Sequence, residues 1–213
     1  AFPLASFPGF VDPLTFDWTR EDGRPVAWTL SEPYGARTWW PGKDHPSDKA
    51  DSARVTVTVP ERMQVASNGV LEGTDTENGR TTYRWFSRYP IAPYLLSFAA
   101  GEYAVSEQTY VRPDSLAERF DAGLTLPIVH YTYPDRSFRT GFERVLGMMP
   151  LMEYWFGPYP FPEEKYGHAQ FTWGGGMEHQ TISSMGGASR GLVAHELAHM
   201  WYGDAIPLRH WPH

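Results

Sequence analysis

The residues best suited to chemistry are His195-Glu196-Leu197-Ala198-His199. Side chains four apart on a helix lie one above the other, so both imidazoles can reach one ion. Neutral imidazole nitrogen is a good zinc ligand, at about 2.0–2.1 Å. Glu196 adjoins the first histidine and can aim its carboxylate at a water on that ion and take its proton. A chain of this length and histidine content shows the pattern by chance roughly 0.02 times. Apolar Leu192, Val193, Leu197 and Met200 lie around it, as on a helix with one buried side.

A second stretch lies shortly upstream, Trp173-Gly174-Gly175-Gly176-Met177-Glu178-His179. Three glycines let the backbone approach a ligand closely and leave amide and carbonyl groups open to an extended peptide. A glycine triplet alone is commonly just a turn. Here an acid follows it and the histidine helix comes next.

Strands must carry the first part of this machinery. Arg54 to Val59 alternates apolar and polar residues and stops at Pro60, the pattern of a half-buried strand. Asn68-Gly69 and Asn78-Gly79 are turn dipeptides, and Thr81–Phe86, Tyr94–Ala100 and Val129–Tyr133 are further strand candidates. The pattern changes after Pro134. Phe138, Phe142, Val145, Met149, Met152 and Phe156 form one apolar helical face, read as core-facing and closing at Gly157-Pro158. A second helix is expected from Ser189, a plausible N-cap, to Tyr202, with Gly203 as terminator. The expected class is α+β, with an antiparallel β-rich domain over 1–134 and a second domain starting at 135–213.

Composition narrows the function. With 41% hydrophobic and 20% charged residues, 213 residues can build a packed core. The net charge of −7 and the absence of any Lys/Arg run argue against nucleic acid or an anionic membrane as partner. No apolar run approaches the ~18 residues of a membrane span, and Ala1-Phe2-Pro3-Leu4 shows no basic leader. There is no cysteine, which excludes thiolate ligands and disulfides. That fits an extracytoplasmic protein but leaves the compartment open. His45, His130 and His168 are read as structural or surface groups, and His210 and His213 as adventitious ligands at most.

These motifs resemble the aminopeptidase N-like zinc metallopeptidases. Their clamp loop reads Gly-x-Met-Glu-Asn, and Gly175-Gly176-Met177-Glu178-His179 is similar. Their zinc segment is a His-Glu-Leu-x-His followed by aromatic-Gly-Asn, which His195 to His199 and Trp201-Tyr202-Gly203-Asp204 resemble. Glu32-Pro33-Tyr34-Gly35-Ala36-Arg37, with Trp39-Trp40-Pro41 and Asp44-His45-Pro46, is a third match. The resemblance implies a thermolysin-like catalytic domain after a saddle-like β domain, with zinc on His195 and His199 and Glu196 as general base. It implies peptide substrates with a free N-terminus. Glu178 and Glu32 would bind the ammonium by charge-assisted hydrogen bonds, with Gly175, Gly176, Met177 and His179 contacting the substrate.

Four positions depart from the family pattern. His179 stands where Asn is usual, Leu30 where Gln is common, Gly42 replaces Cys and Asp204 replaces Asn. The first two bear on substrate contacts, and the last two are expected to stay clear of the chemistry. The resemblance places a third zinc ligand, a Glu, and a Tyr that donates to the oxyanion beyond His213, and more β structure before the Glu32 segment. The chain is therefore read as a piece, whose partner can be the remainder of its own catalytic domain. Two other readings stay open: a thermolysin-like endopeptidase, with no use for an amine clamp, and a non-catalytic binding fragment. The 213-residue polypeptide alone is expected to be nearly inactive. Incubation with zinc and an aminoacyl chromogenic substrate checks this, and robust turnover refutes it.

Overall fold

The computed structural model describes residues 12–19, 22–120, 123–134 and 136–207, so His210 and His213 lie outside the described residues. In chain order the first strands are β1 (Leu14–Trp18), β2 (Pro25–Thr29), β3 (Ala53–Pro60), β4 (Gln64–Ser67), β5 (Val70–Glu77) and β6 (Arg80–Ser87). Next come β7 (Phe98–Gly101), β8 (Ala104–Val111), the short α1 (Asp114–Ala117) and β9 (Thr125–Thr132). The rest comprises α2 (Arg136–Phe142), α3 (Val145–Phe156), β10 (Tyr166–Gln170), β11 (Gly176–Met177), β12 (Ser183–Met185), α4 (Arg190–Ala198), β13 (Tyr202–Gly203) and β14 (Ile206–Pro207). The fold is α+β.

Four strands in the order β1-β2-β7-β4 form one antiparallel sheet, and β3-β6-β5 form another. The alternating β3 sequence fulfils its pattern, with one face half-buried and the other in solvent. Asn78 and Gly79 both take positive φ and turn β5 into β6. Tyr94 does not lie on a strand: Pro93–Leu95 forms a short 3-10 turn, and only Phe98–Gly101 extends, because Pro93 cannot donate to a ladder.

A five-stranded sheet in the order β11-β12-β10-β9-β8 carries the second half. Its outer pairs are antiparallel and its inner pairs, β9-β10 and β10-β12, are parallel. The expected boundary after residue 134 thus marks a change from strands to helices, not a break between sheets: β8 and β9 precede it and pair into the sheet beyond it. The core is continuous across it too. Tyr131, Tyr133, Ala169, Phe171, Met177 and Ile182 pack with Trp28 and Trp85 of the first two sheets and with Tyr94 of the 3-10 turn.

The apolar stripe from Phe138 folds as two helices. The break comes at Glu143–Arg144, between α2 and α3. Phe142, Val145 and Met149 are buried beside Val193 and Leu197 of α4 and Met200 just after it. Phe156, expected in the core, is 40% exposed, next to Trp155, Tyr202 and Ile206 on an open face. A buried ion pair holds α3 to β8: Glu153 accepts from Arg112 at 2.6 Å, Tyr110 Oη at 2.7 Å and the Tyr159 amide at 2.9 Å.

The lone histidines stand apart from the histidine helix. His45 Nδ1 is 2.8 Å from Ser47 Oγ in a loop. His130 and His168 face each other across β9 and β10, Nδ1 to Nδ1 at 3.1 Å, with Phe142 stacked on His168. Burial, then the Arg139 charge, brings His130 down to about 4. Burial, then His130, holds His168 well below the usual imidazole range. Both are neutral in the fold, whereas the unfolded chain takes up protons near pH 6.5. Their contribution is therefore lost as pH falls from about 6.5 towards 4, by up to about 1.4 kcal/mol per pH unit for each ring. Urea unfolding across that window checks this: a His130→Leu/His168→Leu variant is expected to show a shallower pH slope, and an unchanged slope contradicts it.

Candidate metal centre and peptide cleft

Ser189 caps the histidine helix, its hydroxyl accepting from the Leu192 amide at 3.3 Å. The helix ends earlier than its sequence suggests. It stops at Ala198 with His199 as C-cap, and the chain turns so that the Tyr202 carbonyl faces back. That carbonyl lies 2.9 Å from His199 Nδ1. A proton held on Nδ1 leaves Nε2 as a bare lone pair, the usual way an outer contact fixes a ligand tautomer. His199 Nε2 and His195 Nε2 stand 3.2 Å apart. Two nitrogens bound to one tetrahedral ion at about 2.0–2.1 Å are about 3.3 Å apart, a spacing close to that of this pair.

Carboxylates gather on the same side. Glu196 is buried, and the glycine loop lies directly on it: a Cβ at Gly176 would fall 2.1 Å from Glu196 Oε1. Only glycine permits that approach. Gly176 and Met177 form β11, the edge strand, so one side of their backbone is paired with β12 and the other faces away from the sheet. Glu178 comes immediately after. One ligand atom each of Glu178, Glu196 and His199 lies within 4.8 Å of the others, a set able to hold a cation.

Glu32 reaches the same place from the loop after β2. Burial, then the Glu178 charge, pushes its carboxyl up to about 7, while His199 opposes. Glu196 is pushed up to about 8 by burial, then by Glu178 and Glu32. Glu178 is raised by burial and partly restrained by its own backbone amide. The structure thus brings together Glu178, Glu196, His199 and Glu32, with Gly176 lying on Glu196 and His195 beside His199, while Gly175 packs on Trp173. It does not bring in the side chains of Met177 and His179. Met177 is 1% exposed, and His179 is fully buried with Nδ1 2.8 Å from Ser184 Oγ. His179 supports the loop from beneath.

Two further groups face this cluster. Asp204, expected to stay clear of the chemistry, is fully buried. Burial, then Glu178, lifts its carboxyl well above the usual range, and Lys49 opposes. Lys49 donates to the Asp204 carbonyl from the loop before β3. Tyr94 Oη donates to the Gly203 carbonyl at 3.3 Å, and burial, then Glu178, Asp204 and Glu32, raises its phenol. Neither Lys49 nor Tyr94 carries a local signal, because each comes from a loop distant in sequence.

The histidine helix thus lies against the edge strand β11, with buried carboxylates gathered between them. Residues 9–95 match the Peptidase M1 N-terminal domain. Among similar proteins are a leucyl aminopeptidase of Saccharolobus solfataricus, 27% identical over 90% of this chain and 25% of its own length, and aminopeptidase M1-A of Oryza sativa, 29% identical over 88% and 22%. An M1 zinc metallopeptidase of Deinococcus radiodurans superposes with a TM-score of 0.72 at 28% identity, covering 94% of this chain and 44% of that one. A mutant two-domain M1 zinc metallopeptidase bound to L-tryptophan gives 0.76 at 28%, covering 98% and 46%. The chain is thus similar to aminopeptidases and zinc metallopeptidases of the M1 type, and it spans about a quarter of the length of the curated relatives it matches.

At pH 7 Glu196, titrating at about 8, is largely protonated, and Glu32, at about 7, half so. A divalent ion favours the carboxylates, so binding of zinc at pH 7 is expected to release between about one and two protons, fewer as pH approaches 9. Calorimetry in two buffers of different ionisation enthalpy measures this, and binding without proton release at pH 7 contradicts it.

Proposed function

We propose that residues 1–134 supply the β-rich part, and residues 135–213 the opening of the zinc peptidase domain, of an aminopeptidase that removes N-terminal residues from peptides. The reading is carried by the convergence of Glu32, Glu178, Glu196 and His199, from separate stretches of chain, on one poorly solvated cleft. His195 and His199 would hold the zinc, which supplies positive charge that acidifies a water and polarises the scissile carbonyl. Glu196 takes the proton of the attacking water on its carboxylate and passes it to the leaving amine. Glu178 and Glu32 accept hydrogen bonds from the substrate ammonium and fix where the chain begins. The open side of β11 pairs with the substrate backbone, with Gly175 and Gly176 allowing its close approach.

Relatives longer than this chain support a further segment completing the domain. The apolar face of Trp155, Phe156, Tyr202 and Ile206 is suited to pack against it. Among the similar structures one is bound to a Tyr-Ser-Ala substrate and others to L-tryptophan or L-arginine, which suits ligands with a free amine. A thermolysin-like endopeptidase has no need of two acids beyond the general base.

Calorimetric titration of the zinc-loaded chain with L-tryptophanamide and its N-acetyl form tests the reading. The free amine is expected to bind at least about tenfold tighter, and Glu178→Gln to remove most of that difference, the range of one charge-assisted hydrogen bond. Equal binding of both ligands favours the endopeptidase. Failure to retain zinc favours a non-catalytic fragment.

A further inference from the structure

Glu178, just after β11, leads into a buried segment whose attachment lies far away in sequence. The Asn68 side-chain amide donates to the Gln180 carbonyl at 2.7 Å and to the Leu95 carbonyl at 2.9 Å, and its oxygen accepts from the Ser97 amide at 2.7 Å. The neighbouring Gly69 amide donates to Thr181 Oγ1 at 2.9 Å. Lys165 adds an ammonium that donates to the Ser67 carbonyl at 2.9 Å and the Thr181 carbonyl at 3.3 Å, under the Trp85 ring. Ser67, Asn68, Lys165, Gln180 and Thr181 are all buried.

This turn is more than a hairpin corner. Gly69 takes a φ of +75°, and a Cβ there would fall 2.0 Å from the Phe86 carbonyl oxygen, so the backbone comes as close as glycine allows. Thr181 takes a φ of +64°, unusual for a β-branched residue. A conformation of that kind persists only where its surroundings hold it. The surroundings are the Gly69 amide, the Lys165 ammonium and Met200, whose sulfur lies 3.3 Å from the Thr181 amide. The Gln180 side chain has no hydrogen-bond partner among the described residues, so its backbone carbonyl supplies the attachment. The grip falls two and three residues beyond Glu178, and its attachment through Asn68 and Gly69 comes from the link between β4 and β5.

We propose that Asn68, with Gly69 and Thr181, is a positioning element for ligand recognition, setting the Glu178 carboxylate where it meets an ammonium. This rests on the function proposed above. The contrary possibility is that the same bonds serve stability alone.

Three variants separate the two. Asn68→Asp keeps the shape but replaces the amide donors facing two carbonyls. Thr181→Val removes the acceptor for Gly69 while staying β-branched, and Thr181→Ser restores it. In the zinc-loaded chain, the preference for L-tryptophanamide over its N-acetyl form is expected to fall from at least about tenfold to under about threefold in Asn68→Asp and Thr181→Val. Thr181→Ser is expected to retain it, with zinc content by mass spectrometry unchanged in all three. Amide exchange over 178–182 is expected to quicken by about tenfold or more in the two disruptive variants, with the β3–β6 amides unaffected. An unchanged ligand preference beside a lowered melting temperature overturns the proposal. If Asn68→Asp does not fold, Thr181→Val against Thr181→Ser carries the test. If the wild-type chain shows no amine preference, the aminopeptidase reading falls first. Positioning is then judged by exchange alone: local quickening over 178–182 supports it and unchanged rates refute it.

Discussion

Carboxylates crowded together away from water repel one another, and positive charge between them relieves the strain. Glu32, Glu178 and Glu196 are in this position, each with its carboxyl raised by burial. Two cations answer the problem in the proposed function: a metal on the imidazoles, and the ammonium of the ligand. The cleft is thus electrically incomplete until both arrive. In the proposed function, a chain with an uncharged start would leave part of that repulsion standing.

The fold is organised to hold this unfavourable arrangement in place. The acids come from the loop after β2, from the residue following β11 at the edge of the five-stranded sheet, and from α4. The shared core that joins Trp28 and Trp85 to Phe171 and Met177 makes the two halves one packed unit. Close packing of that kind resists small displacements. Asp204 adds a buried acid behind the cluster, and Lys49 and Tyr94 meet the same corner through the carbonyls of Asp204 and Gly203.

How much of this is legible in the sequence depends on how local each signal is. The histidine pair is local, since one helical turn places both rings, and the tautomer follows from the turn just after it. The β3 alternation and the Asn78-Gly79 corner are local as well and appear as read. The helix end at His199 departs from its sequence pattern because a carbonyl needed by the imidazole interrupts the last turn. The single stripe from Phe138 becomes two helices for a reason periodicity does not contain: the break at 143–144 leaves the apolar spacing intact. The weight of Asp204 is invisible locally because it arises from burial, which depends on sheets distant in sequence. The same holds for Asn68-Gly69, whose turn signal is plain but whose attachment to 180–181 is not. His179, expected as a substrate contact from its place in the motif, is buried against Ser184 of β12.

The edge strand beneath the cleft is only two residues long. Main-chain pairing to so short an edge can engage little more than the first one or two peptide units of a guest. Everything further along hangs outside this ladder, unread by it. In the proposed activity, such a catalyst is strict about where a chain begins and indifferent to most of its remaining length, and it can process long and short guests by the same grip.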